Sequence, residues 1–146
     1  MASEPLMMLS PRTVLALVLL AGLLAGCNAS EDMARSEEEV SRFHRLMAAG
    51  KSHEIYLDSA DDLKNAASEQ DFSKLLQTIS AKLGPYRSSE RLSWHVNYLA
   101  SGTYVALVFQ SKFERGPATE QFMYRISDQG PLLAGYHINA NALVLN

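Results

Sequence analysis

The sequence predicts an α+β domain in which N-terminal helices pack on one face of a four-stranded antiparallel meander sheet. Up to Gly84 the apolar residues recur with the helical period of 3.6, and after Gly84-Pro85 the period changes to 2. Short polar turns separate the strands, which is typical of antiparallel pairing. Helices and strands are grouped rather than alternating along the chain, which excludes a doubly wound parallel sheet.

The stretch SEEEVSRFHRLMAAG predicts the first helix. Ser36 and Glu39 have the spacing of a capping box, acidic residues crowd the first turn, and Gly50 is a C-terminal stop. Val40, Phe43 and Met47 follow on one face. Similar signals predict a helix over residues 68–84. The stretch between them is less regular and is interpreted as a short helix over residues 52–57 and another turn or two over residues 60–66.

Four strands are predicted after Pro85, with turns at Ser101-Gly102, Gly116-Pro117 and residues 128–130. The last strand is predicted from Leu132 to Leu143. Each strand has one strongly apolar face, so a sheet covered by helices on one side is the natural arrangement. The alternating apolar residues are Leu92, Trp94, Val96, Tyr98; Val105, Leu107, Phe109, Phe113; Phe122, Tyr124, Ile126; and Ala134, Tyr136, Ile138.

Composition and charge exclude several classes of protein. The chain has 146 residues, 47% of them hydrophobic and 20% charged, with a net charge of −3; this is the composition of one globular domain. No cluster of Lys or Arg is present, which argues against nucleic acid as a partner.

Metal and cofactor chemistry has no signature in the sequence. His44, His53, His95 and His137 lack metal-helix spacing, and Cys27 is the only cysteine. All four histidines are therefore predicted to be ordinary surface or edge residues. No phosphate-binding loop or nucleophile motif occurs, so we expect no metal and no cofactor.

The N-terminal segment has the features of a secretory signal. VLALVLLAGLLAG carries no charge and is shorter than the about 20 residues that a membrane-spanning helix needs. Arg12 supplies the positive charge before it, whereas Glu4 is unusual in such a position. We therefore predict that translation begins at Met7 or Met8.

Leu24-Ala25-Gly26-Cys27 resembles the lipobox of bacterial lipoproteins. This resemblance implies cleavage between Gly26 and Cys27, a diacylglyceryl group on the Cys27 sulfur and an acyl group such as palmitate on the new N-terminus. Asn28 after the cysteine implies the outer membrane, with the domain facing the periplasm. A buried core cysteine or an uncleaved anchor is the alternative, but the apolar run is too uniform for the first and too short for the second. The resulting organisation is a signal peptide (1–26), a lipidated linker (27–35) and one domain (36–146).

The remainder resembles a group of uncharacterised bacterial domains, often lipoproteins, that have the cystatin-like or nuclear-transport-factor-2-like α+β cone. The resemblance extends over residues 36–146 and is strongest in FERGPATEQFMYRI. It implies a fold and a location rather than a chemistry, because this fold hosts enzymes, binding modules and assembly domains.

Glu120 is the candidate catalytic residue, because enzymes of this fold such as ketosteroid-isomerase-like proteins place a carboxylate inside the cone. By alternation it shares a face with Phe122 and Tyr124. In the alternative interpretation Glu120 ends a strand and meets water, Lys112 or Arg115. The candidate ligand-binding residues are Tyr56, Tyr98, Tyr124 and Tyr136, which alternatively are half-buried core residues.

The sequence predicts a binding or interaction domain for a protein or a small apolar ligand. A hydrolase or isomerase that uses Glu120 is one alternative. Another is assembly, including homodimerisation, through an exposed sheet face with Tyr104, Ala106 and Val108. The envelope membrane and an envelope protein are the expected partners. The segment 114–117 is predicted to be a hairpin turn, or alternatively a recognition loop.

Overall fold

A computed structural model describes the backbone of residues 11–144 and the side chains of residues 28–144. Its strands form a single antiparallel sheet in the order β1-β2-β3-β4. Helices followed by a meander sheet confirm the predicted α+β fold. The elements are α1 (Pro11–Ala48), α2 (Ser52–Leu57), α3 (Asp61–Ala66), α4 (Glu69–Leu83), β1 (Tyr86–Leu99), β2 (Gly102–Phe113), β3 (Gly116–Ser127), β4 (Gly130–Asn139) and α5 (Asn141–Val144).

The chain divides into two compact units, Met1–Glu31 and Asp32–Asn146. The main hydrophobic core and the partly buried residues packed on it come from positions between Met33 and Leu143. The second unit therefore contains a complete core of its own. Within the described part of the chain, no helix combines the length and apolar character needed to cross a membrane.

α1 differs from the predicted first helix. Residues 28–35 are helical, so the predicted start of the first helix at Ser36 is wrong; the segment predicted as a linker contains neither Gly nor Pro to interrupt a helix. The predicted capping box is also wrong. Ser36 is completely buried and its hydroxyl donates to the Asp32 carbonyl at 2.7 Å, a bond typical of a serine inside a helix.

The ends of α4 follow the sequence signals. Ser68 is the N-cap, and its hydroxyl accepts a hydrogen bond from the Asp71 amide at 3.1 Å. Gly84 ends the helix with a φ of +74°, a conformation that glycine adopts at little cost. The predictions for α2 and α3 are confirmed within one residue.

The β2–β3 connection is a hairpin turn, as predicted, in which Phe113 pairs with Gly116. The turn is held against the junction of α4 and β1. The Glu114 amide donates to the Pro85 carbonyl and the Arg115 amide to the Leu83 carbonyl, both at 2.9 Å. These bonds fix the start of β1 beside the end of α4.

Two predictions about the other strands are wrong. β4 ends at Asn139 and is followed by the short helix α5, where the sequence predicted a strand as far as Leu143. Tyr104, predicted to be exposed, is buried against Ala60 and Ala134. Its hydroxyl donates to Asp62 at 2.9 Å, so the segment that leads into α3 covers this part of the outer sheet face.

Candidate functional site

Glu120 lies on the helix-facing side of β3, opposite Phe109 of β2 and Ile138 of β4. Its side chain is completely buried. Tyr136 donates to its Oε1 at 2.7 Å, and Ser111 donates to Oε2. Because the adjacent strands β2, β3 and β4 bring these residues together, the carboxylate is surrounded by donors rather than by water.

His44 supplies the third donor, from α1. Its Nε2 lies 2.9 Å from Glu120 Oε2, and since a carboxylate only accepts, Nε2 carries the proton. The ring is 4% exposed, so the prediction of a surface histidine is wrong for His44. His53, His95 and His137 are exposed, as predicted.

The His44 ring is also held by aromatic stacking. Tyr86, the first residue of β1, stacks on it with a centroid separation of 3.8 Å and an interplanar angle of 10°. Among the described residues, Nδ1 of His44 has no hydrogen-bond partner. The His44 imidazole therefore links α1 to two strands. It bonds Glu120 of β3 through Nε2 and stacks on Tyr86 of β1.

The hydrogen bonds determine the charge of Glu120. Burial alone would raise its pKa, but the bonds from His44, Ser111 and Tyr136 outweigh burial and lower the pKa below its ordinary value. Burial, together with the nearby negative Glu120, raises the pKa of Tyr136 well above its ordinary value. At neutral pH Glu120 is thus an ionised carboxylate that accepts three hydrogen bonds, and its lowered pKa makes it a weak base.

A groove of about 620 Å³ lies next to Tyr86, between the end of α1, α4 and the start of β1. Its lining is mostly apolar and contains no charged residue. Glu120 does not line it, so Tyr86 stands between the groove and the buried carboxylate. The lining residues are Met47, Ala48, Gly50, Ser52, Leu76, Gln77, Ser80, Ala81, Gly84, Pro85 and Tyr86.

The candidate tyrosines are not brought together. Tyr136 donates to Glu120, and Tyr124 is buried on the same face, stacked on Phe122. Tyr56 instead donates to the Ala67 carbonyl at 2.9 Å, and Tyr98 is 70% exposed at the far end of β1. Tyr124 and Tyr136 therefore lie on the face that carries Glu120, whereas Tyr56 and Tyr98 are placed elsewhere.

The alternative partners of Glu120 are also excluded. Its oxygens accept from His44, Ser111 and Tyr136, whereas the Arg115 guanidinium donates to the Ala81 carbonyl at 2.6 Å. The interpretation in which Glu120 meets water, Lys112 or Arg115 is therefore wrong. In the part of the chain that the structure describes, no group of three or more His, Cys, Asp or Glu side chains could hold a metal ion.

Three sequence predictions lie outside the described residues or side chains. The proposed start at Met7 or Met8 precedes Pro11, where the described backbone begins. The lipobox ends at Cys27, and side chains are described only from Asn28 onward. The signal peptide, its cleavage and the lipid on Cys27 remain predictions.

Comparison with known families matches residues 40–136, well over half of the chain, to the family described as protein of unknown function (DUF4019). The chain belongs to this family. The matched region contains His44, Tyr86, Ser111, Glu120 and Tyr136, so the buried site and the floor of the groove are within the DUF4019 domain. No curated protein matches the chain.

Proposed function

We propose that this DUF4019 protein is a membrane-anchored, periplasm-facing binding domain that holds a small, neutral, apolar ligand in the groove beside Tyr86. The groove itself is the observation that carries this proposal. Its volume of about 620 Å³ lies within the range of about 300–1,000 Å³ typical of small-molecule sites.

The lining of the groove indicates the class of ligand. Met47, Leu76, Pro85 and Tyr86 provide apolar surface, and Gln77 provides an amide at the rim. Burying a charge without a partner costs far more than burying an apolar group. Since the lining offers no charged partner, it favours a neutral ligand.

The buried carboxylate supports a binding role better than the alternative of a hydrolase or isomerase. Glu120 meets one condition for a catalytic base, because it is buried and partnered. However, a base that acts at neutral pH needs a raised pKa and access to substrate, and Glu120 has a lowered pKa and does not line the groove. We infer that the carboxylate holds α1 against the sheet, through His44 on α1 and through Ser111 and Tyr136 on the neighbouring strands.

Binding can be tested with the neutral probe N-phenyl-1-naphthylamine, whose fluorescence rises in apolar surroundings. The soluble chain from Asn28 to Asn146 contains the complete core and is suitable for titration. Ala81 is exposed and lines the groove, so Ala81→Phe fills the groove without disturbing the core. We expect saturable binding that weakens at least about tenfold in this variant, because most of the contact area of a small ligand lies within its pocket.

The matched control is Ala66→Phe, an exposed alanine at the end of α3 that does not line the groove. It should bind the probe as the unmodified chain does. Equal affinity of all three proteins, or no saturable binding to any of them, would refute the ligand groove.

We also propose that the anchor is a lipid on Cys27. The match of Leu24-Ala25-Gly26-Cys27 to the lipobox supports it, and two or three acyl chains attach a protein stably where one does not. The test is the intact mass of the protein purified from cell envelopes. We expect a chain that begins at Cys27 and carries diacylglyceryl and acyl groups, and an unlipidated Cys27→Ser variant. A mature chain that begins before Cys27, or that lacks lipid, would contradict this proposal. Asn28 favours the outer membrane, which envelope fractionation tests.

Assembly remains a second candidate for the outer face of the sheet. Met123 is 42% exposed there, beside the partly exposed Ala106 and Val108, although Tyr104 is covered. An envelope protein or a second copy could bind this strip. Sedimentation equilibrium of the soluble chain should show a mass that rises with concentration if the strip forms a homodimer; a constant monomer mass would exclude that dimer.

A further inference from the structure

The distal half of β1 exposes a group of large apolar side chains that the proposed ligand groove does not use. We define it as the β1 patch. It is formed by one edge strand, since β1 pairs only with β2 in the sheet. The exposed fractions are 57% for Leu92, 37% for Trp94, 70% for Tyr98 and 60% for Leu99.

The hairpin that carries the β1 patch is free of formal charge. From Leu92 to Ser111 the sequence contains no Asp, Glu, Lys or Arg. The charge closest to the turn of this hairpin comes from β3, where the Arg125 guanidinium donates to the Ser101 carbonyl at 2.6 Å. Edge strands of soluble proteins are normally protected by charged side chains, lysine above all. Transferring the side chains of β1 beyond Arg91 into a medium of low dielectric constant therefore removes no formal charge from water.

The β1 patch lies at the end of the domain where the chain enters it. Tyr86 stacks on His44, and five residues further along β1 the Arg91 guanidinium contacts Met33 Sδ at 3.1 Å and pairs with Glu37. β1 therefore runs antiparallel to α1, and its continuation beyond Arg91 points toward the start of the domain at Asp32. The five residues from Cys27 to Asp32 reach at most about 18 Å.

These observations favour a lipid bilayer over a protein as the surface that covers the patch. Trp and Tyr side chains partition to the membrane–water interface, where an apolar ring is buried and a polar tip stays hydrated. Strand pairing with another chain is disfavoured by the register shift between Arg91 and Ser93, because a bulge twists an edge away from a flat partner.

We propose that the β1 patch docks on the membrane surface, with Trp94 and Tyr98 at the level of the lipid headgroups, and so fixes the orientation of the domain. This inference rests on the proposed lipid anchor at Cys27, which holds the entry end of the domain close to the bilayer. The groove beside Tyr86 lies at the opposite end of β1 and stays open to the periplasm.

The chain offers a direct test, because Trp94 is its only tryptophan. The lipidated protein is reconstituted into vesicles of phosphatidylethanolamine and phosphatidylglycerol with brominated acyl chains. We expect the Trp94 emission to shift to shorter wavelength and to be quenched by about twofold, since interfacial side chains lie about 5–10 Å into the headgroup and acyl boundary. Vesicles without bromine should give the shift without the quenching.

Matched variants separate docking from anchoring. Tyr98→Ser combined with Leu99→Ser should reduce the quenching of Trp94, whereas Leu57→Ser, which removes an equally exposed leucine from α2, should leave it unchanged. All three side chains are exposed, so urea unfolding should report a folded protein for each variant.

Failure of docking and failure of the anchor give different results. Unquenched Trp94 in protein whose mass shows the lipid would overturn docking and leave the anchor intact. If the mass shows no lipid, the soluble chain is mixed with the same vesicles; quenching then supports docking, and its absence overturns it. A Trp94 shift that depends on protein concentration without vesicles would show that a second copy covers the patch, and would also overturn the proposal.

Discussion

The two halves of β1 make an instructive comparison. Both halves pair with β2, yet Tyr86 at the start is packed between His44 and the groove, while Tyr98 near the end is mostly exposed. The register shifts lie in the first half, between Tyr86 and Ser88 and between Arg91 and Ser93, so the lower exposure of Tyr86 comes from its packing on α1 and not from a more regular ladder. Glu120 fastens α1 beside the start of β1, and within the domain the contacts between α1 and β1 extend as far as Arg91 and Met33.

The largest loss of unfolding free energy should come from removing Glu120, which holds α1 beside the start of β1. Glu120→Ala removes a buried carboxylate and leaves His44, Ser111 and Tyr136 without their acceptor. Removing one partner of a buried charged network costs about 3–5 kcal/mol of unfolding free energy. Urea unfolding of the soluble chain measures this loss.

The matched control for this prediction is Glu114→Ala. Glu114 forms an exposed ion pair with Arg87 at 2.5 Å, and exposed pairs are worth about 0–1 kcal/mol. A comparable loss in both variants would show that the buried network does not fasten α1.

Tyr136→Phe is a milder change at the same end. It removes only the hydroxyl that donates to Glu120 Oε1 at 2.7 Å, and a hydrogen bond to a charged group is worth about 1.5–3 kcal/mol. The unfolding free energy should fall by this amount while the aromatic packing on Phe43 persists. An unchanged unfolding free energy would indicate that this bond contributes nothing.

The dependence of unfolding free energy on acidic pH tests the contribution of the Glu120 carboxylate separately. The pKa of Glu120 is lowered from the ordinary value of 4.5, so the unfolded chain binds a proton at a pH where the folded chain does not. The stabilisation is present above pH 4.5 and is lost as the pH falls through the folded pKa. Unfolding free energy measured against pH should therefore fall more steeply below 4.5 in the wild type than in Glu120→Gln, since the other carboxyl group with a lowered pKa, Asp62, is common to both. Parallel curves would contradict the lowered pKa.

The smallest change in unfolding free energy should come from the exposed half of β1, near Tyr98. Tyr98→Ser changes a side chain that is 70% exposed, and surface substitutions usually alter unfolding free energy by about 0.5 kcal/mol or less. The same substitution should weaken membrane contact. A large loss of stability in the soluble chain would instead mean that Tyr98 packs against the domain.

The sequence predicted the helices and strands better than it predicted how α1 packs on the sheet. The cap and period of α4 and the alternation of the strands identified that helix and the meander, and alternation placed Glu120 on the helix-facing side. His44 was missed because its polarity suggested a surface residue, although it stands four residues after Val40 and three before Met47, within the apolar stripe. Alternation also put Trp94 and Tyr98 on the apolar face, but it contains no information on how far α1 covers that face.

Native-state hydrogen exchange along β1 tests this central difference within one strand of the unmodified chain. Amides that bond β2 between Tyr86 and Arg91 should exchange only at the free energy of global unfolding, because His44 and Glu120 hold α1 over them. Amides between Trp94 and Leu99 should exchange at a lower free energy, through local opening. Equal protection of both halves would contradict the account.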